Sequence, residues 1–458
     1  MEVDYKEIGF CCGIEVHQQL SNKKLFCNCS TKFQENDLDL EFSRKLRATA
    51  GEQGYIDVAA QFEESKNMEF VYHGYKDEYC LVDCDEQPPY QINQDALITA
   101  LSICKLLKLD IPDEIQVMRK IITDGSACSS FQRTALIGYE SKNSYLETSL
   151  GKVRITSLCL EEDACKIEKV EQGKIYYSLS RQGIPLVEIR TEPDIKNPEH
   201  AKETAEKLGM ILRSFSSILR GIGTIRQDVN LSIKNGNRVE IKGFQELRNM
   251  PKIIDFEIQR QVNILKQGKN VEKEVRKANE NGTTSFLRPL PGASRMYPET
   301  DIPQILITND LINKIKIPEL IEDRINNLEK KFDLSYELAS EIIKNKIDFD
   351  FYSNKFKNIK PGLLSGIILT YQENPNLLNT LDLLNSGKIT KDVFDEAIKG
   401  NFDSSKKISL DEVEQEAKKI IKEKQGLSTN AIMGILMGKF KGKIEGKKLI
   451  DIINKIKK

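Results

Sequence analysis

The sequence predicts an α+β fold: a mostly antiparallel sheet domain, then a helical domain, then a helical C-terminal tail domain. Three observations predict it. Short segments of alternating polarity dominate the first half, a proline- and glycine-punctuated loop closes that part at 288–298, and helical periodicity prevails from Pro318 onward. A chain of 458 residues holds two or three domains of ordinary size. The changes in texture place boundaries at 1–305, 306–403 and 404–458.

The elements follow in order. Residues 14–20 alternate, with Ile14, Val16 and Leu20 on one face and Glu15, His17 and Gln19 on the other. Further strands are predicted at 54–59, 153–158, 176–179, 186–190, 229–233 and 238–242. Helices are predicted at 94–107, 198–219 and 255–266; Pro198 and Glu199 open the second as a helix start should. Beyond Pro318 the helical pattern breaks at Pro361-Gly362 and at Glu373-Asn374-Pro375, and Asn385-Ser386-Gly387 reads as a helix stop. A polar linker near 401–405 precedes the last helical unit.

Composition bounds the function. Charged residues are 30% and hydrophobic residues 39%, which suits a folded chain rather than a disordered one. A formal net charge of −1 gives no whole-protein field for nucleic acid. The segment 424–458 differs: nine lysines against Glu445 and Asp451 leave it at +7, which suggests a docked polyanion or, equally, a solvated lysine-rich face. The acidic start, Met1 to Glu7, lacks the basic and apolar regions of a signal peptide, and no apolar run reaches membrane-spanning length. The expected compartment is therefore the cytoplasm, with no membrane partner, and the ten cysteines, all at or before Cys165, are expected as reduced thiols.

The chemistry-bearing positions are acidic. Glu15 and His17 lie two apart on a predicted strand, and His17 is one of only three histidines, with His73 and His200. Glu161-Glu162-Asp163, Glu188, Asp228 and Glu240 add carboxylates in strand-like segments. Carboxylates held close cannot all stay ionised without a cation. Oxygen donors with one imidazole suit Mg²⁺, and a Mg²⁺ held by few carboxylates usually also holds phosphate oxygens. The pattern therefore points to a Mg-nucleotide site; the competing reading is a set of exposed acids paired with the abundant lysines. No G-x-x-x-x-G-K-[ST] loop is present, and Gly221-Ile222-Gly223 lacks a third glycine, so it reads as a turn feeding the Asp228 strand. Cys27, Cys29, Cys80 and Cys84 could close a four-thiolate Zn²⁺ site, or be ordinary buried thiols.

Motifs in order along most of the chain carry a resemblance. They are the stretches 13–20, 24–29, 85–89, 117–120, 124–126 and 131–134, then 160–164, 183–189, 191–195, 223–233, 239–243 and 288–303. Together they resemble the family formed by the B-type and E-type subunits of glutamyl-tRNA(Gln) amidotransferases. Gly223-Thr224-Ile225-Arg226-Gln227-Asp228 and the Arg288-Pro289-Leu290-Pro291-Gly292 loop look like the archaeal E-type rather than the bacterial B-type.

That resemblance implies an activity. Misacylated Glu-tRNA(Gln) has its side-chain carboxylate phosphorylated by ATP, and ammonia displaces the phosphate to give Gln-tRNA(Gln). The reaction makes the chain part of an ATP-dependent carbon–nitrogen ligase. Ammonia is expected from an asparaginase-like glutaminase partner, the D-type subunit, in an assembly of two D-type and two E-type chains. The first domain would be the kinase and transamidase cradle. By motif position His17, Glu162 and Glu188 are expected to hold Mg²⁺, with Glu161 adjacent. Glu15, Asp228 and Glu240 join His17 as catalytic residues, and Arg226 and Lys242 contact phosphate. Cys27 and Cys29 match the family pattern. Lys439, Lys441 and Lys443 in the tail are expected to contact tRNA phosphates. One departure matters: the domain that E-type chains insert between the 255–266 helix and Arg288, like one found in bacterial aspartyl-tRNA synthetases, has no room in 267–287. A tRNA-binding scaffold and a carboxylate-metal nuclease are the competing classes.

Overall fold

Alternation in the sequence becomes a sheet with one apolar and one polar face. In the strand Cys11–Gln19, Ile14 and Val16 are at most 1% exposed, while Glu15 and His17 between them face the other way. The computed structural model describes residues 4–33, 37–51, 53–244, 246–292, 295–400, 410–424, 426–440 and 446–457. The chain divides into two units, 1–320 and 321–458.

In the first unit, ten strands run from edge to edge. Their order is Thr284–Pro289, Glu274–Ala278, Val239–Phe244, Ile225–Ser232, Cys11–Gln19, Pro185–Thr191, Gly151–Glu162, Phe131–Tyr139, Val117–Ile121 and Met296–Pro298. An eleventh, Tyr145–Thr148, pairs beside Gly151–Glu162. Every pairing on this path is antiparallel except that of Val239–Phe244 with Glu274–Ala278. The apolar face packs under the helices Gln94–Leu106, Pro198–Arg213 and Met250–Lys266 to form the main core. A four-stranded sheet built on Glu69–Tyr75 and Lys174–Ser178 carries its own core of Phe70, Tyr72, Cys84, Cys128 and Tyr177.

The two edge strands of the ten are joined by residues 290–295 alone. Ten strands laid flat would span roughly 43 Å at ~4.8 Å per step. The seven Cα steps from Pro289 to Met296 reach no more than ~25 Å. The sheet is therefore curled into a trough, and the described residues of this connecting strap, Leu290, Pro291, Gly292 and Arg295, border its polar face. The strap is pinned at several points. Arg288 Nη1 donates to Asp124 (3.0 Å), Gly292 N–H to Asp57 (2.6 Å), and the Arg295 carbonyl accepts from Ile121 N–H (2.8 Å). Beyond its end the buried Glu299 carboxylate accepts from Arg119 at 2.6 and 2.8 Å and from Arg133 at 2.8 Å.

The second unit is helical, as predicted. Helices from Ile321–Phe332 to Phe394–Ile398 enclose Ile325, Phe349, Phe356, Leu364 and Leu381. The helix stop at Asn385 is real: Gly387 takes a φ of 69°. Leu410–Glu423, Thr429–Lys439 and Gly446–Lys457 surround Val413, Ile432, Leu436 and Leu449.

Some local expectations are corrected. Residues 54–59 are not a strand: after one bridge from Ala50 to Ile56, Asp57 caps the helix Val58–Ser65 by accepting from the N–H groups of Ala59 and Ala60. The helix beginning at Pro198 stops at Arg213, and the one expected from 255 already starts at Met250. Residues 267–287 contribute a hairpin to the sheet, locked to the neighbouring helix by Glu257, Arg260, Glu274 and Arg276.

Glu299→Ala is expected to cost about 3 kcal/mol, because it removes the buried carboxylate shared by Arg119 and Arg133 and leaves them only Asp301 and Glu162 at 3.2 and 3.4 Å. Urea unfolding of the two proteins measures this.

Candidate active site

Strand register lines up one row of polar side chains across the trough. His17 lies opposite Glu188 on one side and Arg226 on the other, and Glu15 lies opposite Arg190 and Asp228. Asn230 faces Glu240 on the next strand, and at the far side Glu161 faces Thr134. Opposite residues on neighbouring strands bring side chains into contact distance, so the pairing itself builds the cluster. Ligand atoms of Glu15, His17 and Asp228 lie within 4.8 Å of one another, and so do those of His17, Glu161 and Glu188. His17 belongs to both groups. Its Nε2 is 3.5 Å from Glu188 and its Nδ1 is 4.0 Å from Asp228.

The electrostatics reflect this crowding. Burial, with Glu188 and Glu240 nearby, pushes the Glu15 carboxyl up. Burial also opposes charge on His17, but the hydrogen bond and charge of Glu188, with Asp228, raise its pKa overall. Glu188 is held well below the usual carboxylate range; its burial is outweighed by His17, Lys120 and Arg190. Asp228 is likewise lowered despite burial, through Lys242 and then His17. Lys242 contacts Asp228 at 2.6 Å and also pairs with Glu240. The row thus alternates oxygen donors that could hold a hard cation with ammonium groups that could meet an anion.

Two adjoining cavities, about 320 and 420 Å³, open on this row. Both are bordered by His17, Lys120, Glu161, Glu240, Lys242 and Arg295. The first extends to Arg226 and Asp228, the second to Glu15, Glu188 and Arg190.

Most of the sequence-predicted residues converge here. Glu15, His17, Glu188, Asp228, Glu240 and Lys242 border the cavities. Arg226 does too, but its guanidinium already donates to the buried Asp163 at 2.8 Å. Glu162 is the correction. Strand alternation turns Glu161 to His17 and sends Glu162 to the other face, where it accepts from Arg133 N–H at 3.0 Å. Glu161 is fixed by Thr134 Oγ1 (2.8 Å), Gln132 (3.2 Å) and Lys120 (3.5 Å). Sequence reasoning misses Arg190, Lys120 and Arg295. Arg190 follows Glu188 by two residues in an alternating segment, and that signal could have found it.

Of the four cysteines named from the sequence, the structure groups three. Cys27, Cys29 and Cys80 come together, with Asp83 rather than Cys84 as the fourth group within 4.8 Å. Cys84 points instead into the core of Tyr72 and Cys128. Asp83 accepts from Cys80 N–H (3.2 Å) and from the fully buried Lys24 (2.9 Å). Cys27 and Cys29 hydrogen-bond the Cys80 sulfur and pull its pKa far down. Three sulfurs and one carboxylate make a donor set that fits a tetrahedral Zn²⁺. In the tail, Lys439 pairs with Glu416, while Lys441 and Lys443 lie outside the described residues.

Comparison of the sequence with known proteins places the chain in a family. Residues 10–313, which include every residue of the polar row, match the GatB/GatE catalytic domain. The chain belongs to the GatB/GatE family. It is 34% identical to the E-type subunit of the glutamyl-tRNA(Gln) amidotransferase of Methanococcus vannielii, covering 100% of this chain and 99% of that one. It is 35% identical to the E-type subunit of Archaeoglobus fulgidus (99% and 98% covered) and 32% to that of Methanocaldococcus jannaschii (99% and 99%). The first alignment runs over 632 positions against 458 residues here, a difference of 174. This GatB/GatE chain therefore lacks a sizeable part of what its relative carries. No described helix is long and apolar enough to cross a membrane.

Proposed function

We propose that this chain converts Glu-tRNA(Gln) to Gln-tRNA(Gln), activating the glutamyl carboxylate with ATP and amidating it with ammonia from a glutaminase partner. The observation that carries the reading is the pair of donor groups sharing His17 beneath two adjoining cavities. One cavity suits a nucleotide and the other the esterified glutamyl group. Glu15, Asp228, Glu161 and Glu188 around His17 would hold Mg²⁺, which neutralises phosphate oxygens when bound.

The chain's own residues do the rest. Lys242 and Lys120 present positive charge to the transferred phosphate. The curled sheet and its strap keep water scarce, which an acyl phosphate needs if ammonia is to reach it before hydrolysis. Ammonia attacks the acyl carbon, the C–O bond to phosphate breaks, phosphate leaves with the electron pair, and the proton that nitrogen gives up ends on that phosphate. The chain is expected to depend on an asparaginase-like D-type subunit for glutamine-derived ammonia, in an assembly of two D-type and two E-type chains, and to work in the cytoplasm. Its basic tail, with Lys439, Lys441 and Lys443, would hold tRNA through phosphates. The Cys27, Cys29, Cys80 and Asp83 set would hold one structural Zn²⁺ and so brace the segment that carries Lys24.

Purified chain with ATP, Mg²⁺, free ammonia and Glu-tRNA(Gln) is expected to form Gln-tRNA(Gln), read by acid-gel or chromatographic analysis of the esterified amino acid. A folded, tRNA-binding sample that forms none favours the scaffold class; RNA cleavage without ATP favours the nuclease. Glu161→Gln is expected to weaken Mn²⁺ binding, followed by electron paramagnetic resonance, by about tenfold or more, whereas Glu162→Gln should change it little. Equal effects would return Glu162 to the metal site. Elemental analysis should find about one zinc per chain, lost in a Cys27→Ser, Cys80→Ser double variant together with thermal stability.

A further inference from the structure

Around the site, the arginines withdrawn from solvent are paired with one exception; Arg238, on the border of the second cavity, is exposed. Glu299 holds Arg119 and Arg133, Glu188 holds Arg190, Asp163 holds Arg226, and Asp124 holds Arg288. Among the described residues, no hydrogen bond or ion pair engages the Arg295 side chain, although it is half-buried and borders both cavities. Burial and the neighbouring Arg288 push its pKa down, against the longer-range attraction of Asp57, Glu240 and Glu161, none of which reaches it as an ion pair. A guanidinium withdrawn from water without a partner is unfavourable until an anion joins it. Arg295 cannot easily retreat. Its carbonyl is bound to Ile121 N–H at 2.8 Å, and the next residue, Met296, pairs with Lys120 on the sheet edge. Its fork of donors therefore hangs from the strap over the line where the two cavities meet, near Lys120 and Lys242. A planar fork with fixed donors matches phosphate oxygens better than either lysine does.

We propose that Arg295 is a catalytic residue whose guanidinium grips the phosphoryl group as it passes from a nucleoside triphosphate in one cavity to a carboxylate in the other. This rests on the reading of the site given under the proposed function. In the step a carboxylate oxygen attacks the γ-phosphorus, the bond to the β–γ bridging oxygen breaks, and the diphosphate leaves with the electron pair. No proton moves, and charge is conserved. Negative charge spreads over the three equatorial oxygens, where the Arg295 donors act most strongly.

The test uses the full chain with ATP, Mg²⁺, ammonia and Glu-tRNA(Gln), following phosphate release and Gln-tRNA(Gln) together. Arg295→Ala is expected to lower kcat by about 10²- to 10³-fold, with KM for Glu-tRNA(Gln) nearly unchanged and part of the activity restored by added guanidinium ion. Arg295→Lys should retain more activity than Arg295→Ala. Unchanged kcat overturns the assignment, and so does a loss confined to KM for the tRNA, which would make Arg295 a tether for the nucleic acid. A kcat loss that neither guanidinium nor Arg295→Lys relieves also overturns it. Should Arg295→Ala fail to fold, Arg295→Gln carries the same expectation against Arg295→Lys. If the unsubstituted chain forms neither product, the reading of the site falls and the role of Arg295 with it; if it turns over and Arg295→Ala matches it, Arg295 alone falls.

Discussion

A single strand register underlies everything in the first unit. Cys11–Gln19 lies in the middle of the sheet, and its side chains alternate strictly between an apolar core and the polar trough. A slip of one residue against Pro185–Thr191 or Ile225–Ser232 would drive Glu15 and His17 into the core and lift Ile14 and Val16 out of it. Burying those apolar residues thus fixes where the carboxylates meet. The cluster is unfavourable by itself, because like charges crowd one imidazole. It persists because the apolar face of the same strands holds the register with far more buried area.

Charge is balanced locally rather than by the whole molecule. Lys242 answers Asp228 and Glu240, Arg190 answers Glu188 and Glu15, and Lys120 answers Glu161. The balance leaves the imidazole and the carboxylate oxygens facing open space, with Arg295 unspent above them. The strap makes this arrangement possible: it turns two sheet edges, which would otherwise be exposed and prone to pairing with other chains, into the rim of a closed trough.

Much of this is legible in the sequence for a physical reason. Alternation at Ile14, Glu15, Val16 and His17 reports which face is buried, and the same logic recovers Glu188 and Asp228. Pairing between strands is not written locally, and there the sequence falls silent. Glu161 and Glu162 look alike until the neighbours Leu186 and Thr134 show which one turns inward. Cys84 looks like the fourth sulfur because spacing counts residues, whereas the turn Cys80–Asp83 decides direction. Residues 54–59 read as a strand, yet the capping role of Asp57 outweighs their short alternation. Arg295 lies in a loop with no periodicity, so only the paired state of the other half-buried arginines singles it out.

The central position of Cys11–Gln19 also sets the order of events as the chain is made. Its two partners are residues 185–191 and 225–232, and the strap that completes the rim ends beyond residue 295. At synthesis rates of about 5–20 residues per second, the first strand waits on the order of ten seconds or more before either neighbour exists. During that interval the strand's alternating apolar face is without its neighbours on both sides. The trough likewise has no rim until nearly all of the first unit has left the ribosome.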